Sequence, residues 1–344
     1  MDELNELFEI NQISDFALSY SRLSDFDRNG AKALNKQRSQ LTGEGVKIGS
    51  LVDDLLLNKS NFKKLYYLYD GVKPTATLGK LCDIVIQNYK RPPSKKTLLK
   101  IAKKNKFWSK WSEEKVLQAF DIPEFWDYIK ASFTSKRKTL VTTPDIELSN
   151  ELVNILETHE YSKYIITNSM KHYNQFKFNI EYKGFILRGI IDKVLVDHKT
   201  KTVRFIDLKT GKGDSNEFVS SFLKWRYYLQ AAVYVRAFKE VCKTLKLIDY
   251  TLLPFQFLYI GRSEKLPIVF TVTKRWQKAA AYGFTTTAGY TYRGLYELLD
   301  LVRWHIDNKV FDMTRTVYES NGSILLDDNL ISLRDNKNNY KLND

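Results

Sequence analysis

Hydrophobic residues in the first half of the chain recur with the spacing of helices. In "EGVKIGSLVDDLLLN", from Glu44, the apolar positions Ile48, Leu51, Val52, Leu55 and Leu56 share one helical face. "SKKTLLKIAKKNKFW", "EEKVLQAFDIPEFWDYI" and "PDIELSNELVNILETHEYSKYII" predict further helices, and "KRPPSKK", from Lys90, predicts a basic turn between two of them. The period then changes to two. "QFKFNIEY" places Phe176, Phe178, Ile180 and Tyr182 on one face of a strand, Lys183-Gly184 is a turn, and "FILRGIIDKVLV" and "TVRFIDLK" follow as strands joined by a hairpin. "EFVSSFLKWRYYLQAAVYVRAFKEV" predicts one long amphipathic helix, "PFQFLYIG" and "LPIVFTV" two more strands, and helix returns up to about Lys309.

This order describes an α/β fold of α+β type: a mixed sheet flanked by helices, with a helical N-terminal lobe. The expected divisions are a lobe over 1–150, a core over 151–310 and a polar tail over 311–344. Within that tail, "SILLDDNLISLRDNKNNYKLND" reads as only partly ordered. No internal repeat is visible.

Composition narrows the chemistry. A chain of 344 residues, 43% of them hydrophobic, can bury a large core. Its 54 basic and 40 acidic residues leave a charge of +14, which favours an anionic partner such as nucleic acid or a membrane surface. No apolar run approaches the ~20 residues of a membrane span. The acidic start "MDELNELFEI" lacks a leader's basic-then-apolar order, so a cytoplasmic protein without a membrane partner is expected. Two cysteines, Cys82 and Cys242, cannot make a four-thiolate zinc or iron–sulfur site, and the four histidines show no metal-binding spacing. Any metal therefore sits among oxygen ligands, which favours Mg²⁺ or Mn²⁺. The absence of a G-x-x-x-x-G-K-[ST] loop argues against an ATP motor.

Asp-x-Lys occurs four times, and context separates the four. Asp335/Lys337 lies in the tail, Asp307/Lys309 ends a helix, and Asp197/Lys199 sits in a polar hairpin turn. Asp207/Lys209 instead ends the strand "VRFI". Residues two apart in a strand share a face, so Asp207 and Lys209 stand side by side while Leu208 faces the other layer. Such a pair near a buried sheet costs energy unless it is paired or metal-bound, and a simple ion pair is the plain alternative. Asp192, inside "GIIDKV" on the neighbouring strand, is brought beside Asp207 by the hairpin, and two converging acids call for a cation. On the next helix Gln230 and Tyr234 lie one above the other, with Tyr227 a turn earlier.

Taken together in that order, "GIIDKV…FIDLKTG…YLQAAVY" resembles the PD-(D/E)XK nuclease superfamily, specifically its RecB-like exonuclease branch with a Q-x-x-x-Y helix. The exodeoxyribonuclease VIII-type enzymes of phages look most alike. The resemblance is strong over about 50 residues and extends weakly to "LSYSRLSDF", "GEGVKIGSLVDDLLL" and the strands after 253. It implies a restriction-endonuclease-like core. Asp192 and Asp207 would be the metal-binding carboxylates, with the Leu208 carbonyl as a further ligand, and Lys209 the lysine that orients or activates the attacking water. Gln230 and Tyr234 would position that lysine and contact DNA. The family's early-helix acid or histidine falls at Asp53 in "GSLVDD", where the polar edge of a helix is the alternative reading, and Glu44 and Glu181 are the fallback ligands. Metal beside Lys209 would lower its pKa.

The activity implied is a Mg²⁺-dependent DNA exonuclease, with Mn²⁺ as substitute ion and no iron–sulfur cluster. Its substrate would be linear double- or single-stranded DNA, within phage recombination or replication in the host cytoplasm. An endonuclease, or a non-catalytic nucleic-acid-binding or virion-associated protein with this fold, is the alternative. Lys212, Lys224 and Arg226, interleaved with Trp225, Tyr227 and Tyr228, could meet phosphates and unpaired bases, and so could Lys274, Arg275 and Lys278 around Trp276. Each has the alternative of helix core or solvated surface. No interface signature indicates an oligomeric state.

Overall fold

The computed structural model describes residues 17–35, 43–135, 138–167 and 170–323, so the acidic start and the Asn/Asp-rich end lie outside the described residues. The chain forms two compact units, one of them residues 47–154 and the other the remainder. The first strand and helix thus belong with the sheet, whereas hydropathy assigns them to the helical lobe. A three-residue strand is too short to show alternation, and its partner lies about 170 residues on, beyond the reach of local pattern.

The chain enters through β1 (Ala17–Ser19) into α1 (Tyr20–Asn29). Ser19 caps α1 by accepting from the Arg22 N–H at 3.3 Å, and Gly30, at φ +74°, ends it. The helical unit comprises α2 (Glu44–Leu57), a short parallel ribbon of β2 (Tyr66–Tyr69) with β3 (Thr139–Thr142), α3 (Ala76–Asn88), α4 (Lys95–Lys104), α5 (Glu113–Gln118), α6 (Pro123–Thr134) and α7 (Thr143–Thr158). Leu81, Val85, Leu98, Phe120, Phe125 and Ile129 fill its core. Pro123 divides α5 from α6 where one helix was expected: it sits at the first position of α6, where a missing N–H costs nothing.

The sheet unit continues with β4 (Lys171–Tyr182), β5 (Phe185–Asp197), β6 (Thr202–Gly211), α8 (Ser215–Lys224), α9 (Tyr227–Arg236), β7 (Thr251–Leu252), β8 (Gln256–Gly261), β9 (Pro267–Thr271), α10 (Lys274–Tyr282) and α11 (Leu295–Asn308). The strand order is β1-β5-β6-β8-β9, with β4 also on β5 and β7 on β6. Antiparallel pairs β4–β5, β5–β6 and β8–β9 combine with parallel pairs β1–β5 and β6–β8, giving the expected mixed sheet flanked by helices. Lys183 and Gly184, both with positive φ, make the two-residue turn of the β4–β5 hairpin. Phe178, Leu187, Ile191 and Phe205 of the sheet pack with Leu229 and Val233 of α9 and Leu298 of α11.

The helix expected over 217–241 is broken at Trp225–Arg226. Arg226 is left-handed at φ +61°, and its guanidinium pairs with buried Asp27 at 2.5 Å. The Trp225 carbonyl, freed from helix bonding, accepts from the Tyr20 hydroxyl and the Ser24 Oγ, each at 2.8 Å. α1 thereby anchors the break and sets the start of α9. Within 311–344, Arg315–Glu319 is a short helix capped by Thr314. Among the described residues no helix is long and apolar enough to cross a membrane.

Beneath the sheet, Lys193 is 3% exposed and donates to the Ile166 carbonyl at 3.0 Å. Burial lowers its pKa to about 8. Unfolded lysine titrates near ~10.4, so between these values the unfolded chain binds the extra proton and stability rises with pH. Urea unfolding in EDTA should show stability rising on the order of 2 kcal/mol more in the wild type than in Lys193→Met between about pH 8 and 9.5. Parallel pH profiles for the two proteins would contradict this.

Candidate active site

β5 and β6 part at one point, and the site occupies the parting. Their paired positions run from Asp197–Thr202 to Lys193–Ile206 and stop there. From Ile206 onward β6 pairs on its other edge with β8, as far as Gly211–Gly261. β4 occupies one edge of β5, so β1, paired with Ile186–Arg188, shares the other edge with β6. Gly189 to Asp192 lie between these two partners.

Asp192 stands at the apex of the fork, its Oδ2 accepting from the Leu208 N–H at 2.8 Å. Along a strand, the N–H and C=O of one residue point to the same side and alternate with those of the next. The Leu208 carbonyl therefore points into the fork, while Asp207 and Lys209 bond towards β8. On the β4 side, Asn174–Lys193 and Phe176–Ile191 are paired, but Gln175, opposite Asp192, breaks the ladder at φ +52°. Its amide reaches the Asp192 Oδ1 at 3.4 Å.

Asp207 is 2% exposed, and both its oxygens are engaged. Lys209 Nζ donates to Oδ2, and Gln230 Nε2 to Oδ1 at 2.5 Å. Gln230 Nε2 also reaches the Tyr234 hydroxyl at 3.2 Å, which itself donates to the Ile190 carbonyl at 2.8 Å. The chain of contacts runs Lys209–Asp207–Gln230–Tyr234–Ile190 and returns to β5. Gly189 makes the last link fit: a Cβ there would lie 2.6 Å from the Phe178 ring and 2.9 Å from that of Tyr234. Gln230 Oε1 is buried without a hydrogen-bond partner.

Burial works against the Lys209 charge, but Asp207, then Tyr227, Asp192 and Tyr20, outweigh it and raise its pKa. Phenols act in this way only when ionised, so at neutral pH the two carboxylates hold the ammonium. Burial raises the pKa of Tyr20, Tyr227 and Tyr234, and all three stay neutral. Lys209 Nζ lies 5.0 Å from the Tyr227 ring centroid and 5.8 Å from that of Phe257, a cation–π setting.

The other expected site residues are placed differently. Tyr227 turns its ring inward to Lys209, and Arg226 is committed to Asp27. Lys212 and Lys224 are exposed, as are Lys274, Arg275 and Lys278, while Trp276 packs edge-on against Phe222 and Phe284. Asp53 stands on α2 in the helical unit, near Tyr66, whose hydroxyl donates to Asp54 at 2.6 Å. The side chain of Glu44 lies outside the described ones. Glu181 is opposite Ile186, six residues along β5 from Asp192 or roughly 20 Å at strand rise, so it cannot share an ion with it. Among the described residues no three His, Cys, Asp or Glu side chains gather as a metal cluster. The fork offers two carboxylates and a main-chain carbonyl, an oxygen-only donor set that suits a hard divalent ion. Tyr20, missed in the sequence reading, comes near the Lys209–Asp207 pair, with its ring 6.3 Å from that of Tyr227.

Residues 17–261, from β1 to the end of β8, match the PD-(D/E)XK nuclease superfamily. The chain belongs to that superfamily. The match spans every member of the network from Gly189 to Tyr234. Nucleases of this superfamily generally use divalent metal ions, and the fold implies a nucleic-acid substrate. Among curated proteins none matches the chain. A solved structure from Eubacterium rectale, provisionally named an exonuclease, is similar at 13% identity with a TM-score of 0.45, over 90% of each chain.

The Asp207–Lys209 pair makes a stability prediction for this PD-(D/E)XK protein. Removing one partner of a buried pair strands the other charge, so Asp207→Asn should cost about 3 kcal/mol in EDTA, and adding Lys209→Met should recover part of that loss. Urea titration of the two variants checks both; an Asp207→Asn protein as stable as the parent would refute the structural role of the pair.

Proposed function

We propose that the chain is a metal-dependent DNA exonuclease of the RecB-like type, with Mg²⁺ as its ion and Mn²⁺ as substitute. The observation that carries this reading is the fork, where Asp192, Asp207 and the Leu208 carbonyl converge beside a lysine held in its charged form. A divalent ion bound by these oxygens would neutralise phosphate charge and acidify water.

The remaining chemistry belongs to the chain itself. Lys209, whose ammonium donates to Asp207, is placed to serve as a fixed cation for the charge that develops on the phosphate. Asp207, locked by Gln230, holds that ammonium in place, and Tyr234 ties the helix carrying Gln230 to β5. Asp192 is held at the fork by the Leu208 N–H. Asp53 is proposed as an additional ligand on the resemblance alone.

Attack from a strand end is favoured by a cavity of about 470 Å³ beside Ile190 and Tyr234. Its lining includes Lys177, Arg188 and, at the start of α1, Ser19 and Ser21, residue types suited to a terminal phosphate. On the resemblance to exodeoxyribonuclease VIII-type enzymes of phages, the substrate would be a DNA end met in recombination or replication.

The test is digestion of end-labelled linear DNA and of covalently closed circles, with Mg²⁺ or EDTA. Linear DNA alone should be degraded. EDTA should stop the reaction, and Lys209→Ala and Asp192→Asn should each lower the rate by at least about a hundredfold, the loss seen when one charge-stabilising group is removed. Cutting of circles would make the protein an endonuclease. DNA binding without cleavage by the unmodified chain, with both Mg²⁺ and Mn²⁺, would remove the catalytic reading.

A further inference from the structure

We propose that the helical unit carries a second nucleic-acid site, a single-strand docking surface formed by α4 and the loop after it. It is independent of the fork and of the reaction proposed there. Residues 90–115 carry ten Lys and Arg against two Glu, an excess of eight in a chain whose total is +14.

This charge is arranged at a cost to the helix. α4 buries Leu98, Leu99, Ile101 and Ala102, so its lysines face outward. Lys96, Lys100 and Lys104 form an i, i+4 ladder of like charge, and each such pair destabilises a helix by about 0.2–0.5 kcal/mol. The first turn holds Lys95 and Lys96 and no acid, against the helix dipole. Lys103 pairs with Glu113 and Lys95 with Asp121, whereas Lys96, Lys100, Lys104, Lys106 and Lys110 are exposed and pair with no carboxylate among the described residues. A face that served only solubility would mix the two signs. This one is matched to a polyanion.

Aromatic rings make the match more specific. Past α4 the backbone is left-handed at Lys106, φ +55°, and at Trp108, φ +50°, a conformation disfavoured at non-glycine residues. It brings Trp108 and Trp111 into a stack, with centroids 5.9 Å apart and planes 28° apart. Trp108 is fixed edge-on by Phe107 and Phe120. Trp111 is 42% exposed, with Lys115 Nζ 4.7 Å from its centroid. Both indoles line a cavity of about 270 Å³, and Lys103 and Lys106 stand at its wall. Unpaired bases offer flat faces to such rings while their phosphates meet the lysines, whereas a duplex keeps its bases stacked inside. The surface therefore fits a single strand without sequence preference.

Fluorescence anisotropy of a labelled oligothymidylate tests this, using the full chain in EDTA so that binding is read without cleavage. Trp111→Ala should weaken binding roughly tenfold. The triple change Lys100→Gln, Lys104→Gln, Lys106→Gln should lower the slope of log affinity against log salt by about 2, since each single-strand phosphate contact contributes about 0.7. Lys239→Gln with Lys243→Gln, exposed lysines of the sheet unit, should change neither. The lysine triple lies wholly on the surface, so it decides the matter even if Trp111→Ala folds poorly. Oligonucleotide affinity and salt slope unchanged in the triple variant would overturn the proposal. So would loss of binding to phosphatidylglycerol vesicles with oligonucleotide binding intact, which would make the face a membrane contact. Either result leaves the cleavage assay unaffected.

Discussion

The parting of β5 from β6 after Lys193–Ile206 is the constraint on which the sheet unit depends. Two strands that separate inside a sheet expose main-chain groups on the facing edges, and each must be satisfied. β1 takes part of the β5 edge, and β8 satisfies the outer edge of β6. At the apex the Leu208 N–H would be left over, and a carboxylate answers it: Asp192 accepts that hydrogen bond. The same side chain that closes the fold is thus one of the two acids at the site. A fork capped by a neutral side chain would satisfy the backbone equally well and bring no second charge to Asp207.

Burying Asp207 imposes a further condition, met by groups from both sequence neighbours and distant elements. Lys209 comes free with the strand, because positions two apart share a face. Gln230 has to arrive from α9, and the orientation of α9 follows from the break at Arg226. That break is held by Asp27 and by the Tyr20 and Ser24 hydroxyls of α1. A buried ion pair in β6 therefore depends on a helix roughly 200 residues earlier. The orphaned Gln230 Oε1 is the one polar atom of this network left unsatisfied. The amide spends both donor contacts on Asp207 and Tyr234, which is the arrangement that steadies the carboxylate.

What was legible in the sequence was whatever depended on local period. Alternation located β4, β5, β6, β8 and β9, and strand context separated Asp207/Lys209 from three other Asp-x-Lys triplets. The Gln230–Tyr234 pair followed from helix spacing. Illegible were features set by contacts across long stretches of chain. β1 joins β5 as three residues with no period to read. The helical pattern of 217–241 continues through Trp225–Arg226, because the break is dictated by Asp27 and not by a glycine or proline. Tyr227 shows the same limit: an aromatic beside basic residues reads as a base-stacking surface, yet its ring covers the Lys209 ammonium. Arg226, a candidate phosphate contact by its place in a basic stretch, pairs with Asp27.

The electrostatic balance of the fork is simple enough to argue from charge alone. Burial keeps Tyr20, Tyr227 and Tyr234 neutral, so the site holds two carboxylates and one ammonium. Its net charge is negative, and a phosphodiester brings another negative charge. At ~4 Å and an effective dielectric near 20, each like-charge pair costs about 4 kcal/mol, and the lysine's three attractions to the two acids and a phosphate only match the three repulsions among them. Converting either carboxylate to an amide would relieve the repulsion but remove an oxygen anion from the donor set. Retaining both keeps an oxygen-only donor set of the kind a hard divalent ion prefers. The donor set of the fork thus suits the divalent ions that nucleases of this superfamily generally use, with Lys209 balancing the charge of the acids that supply it.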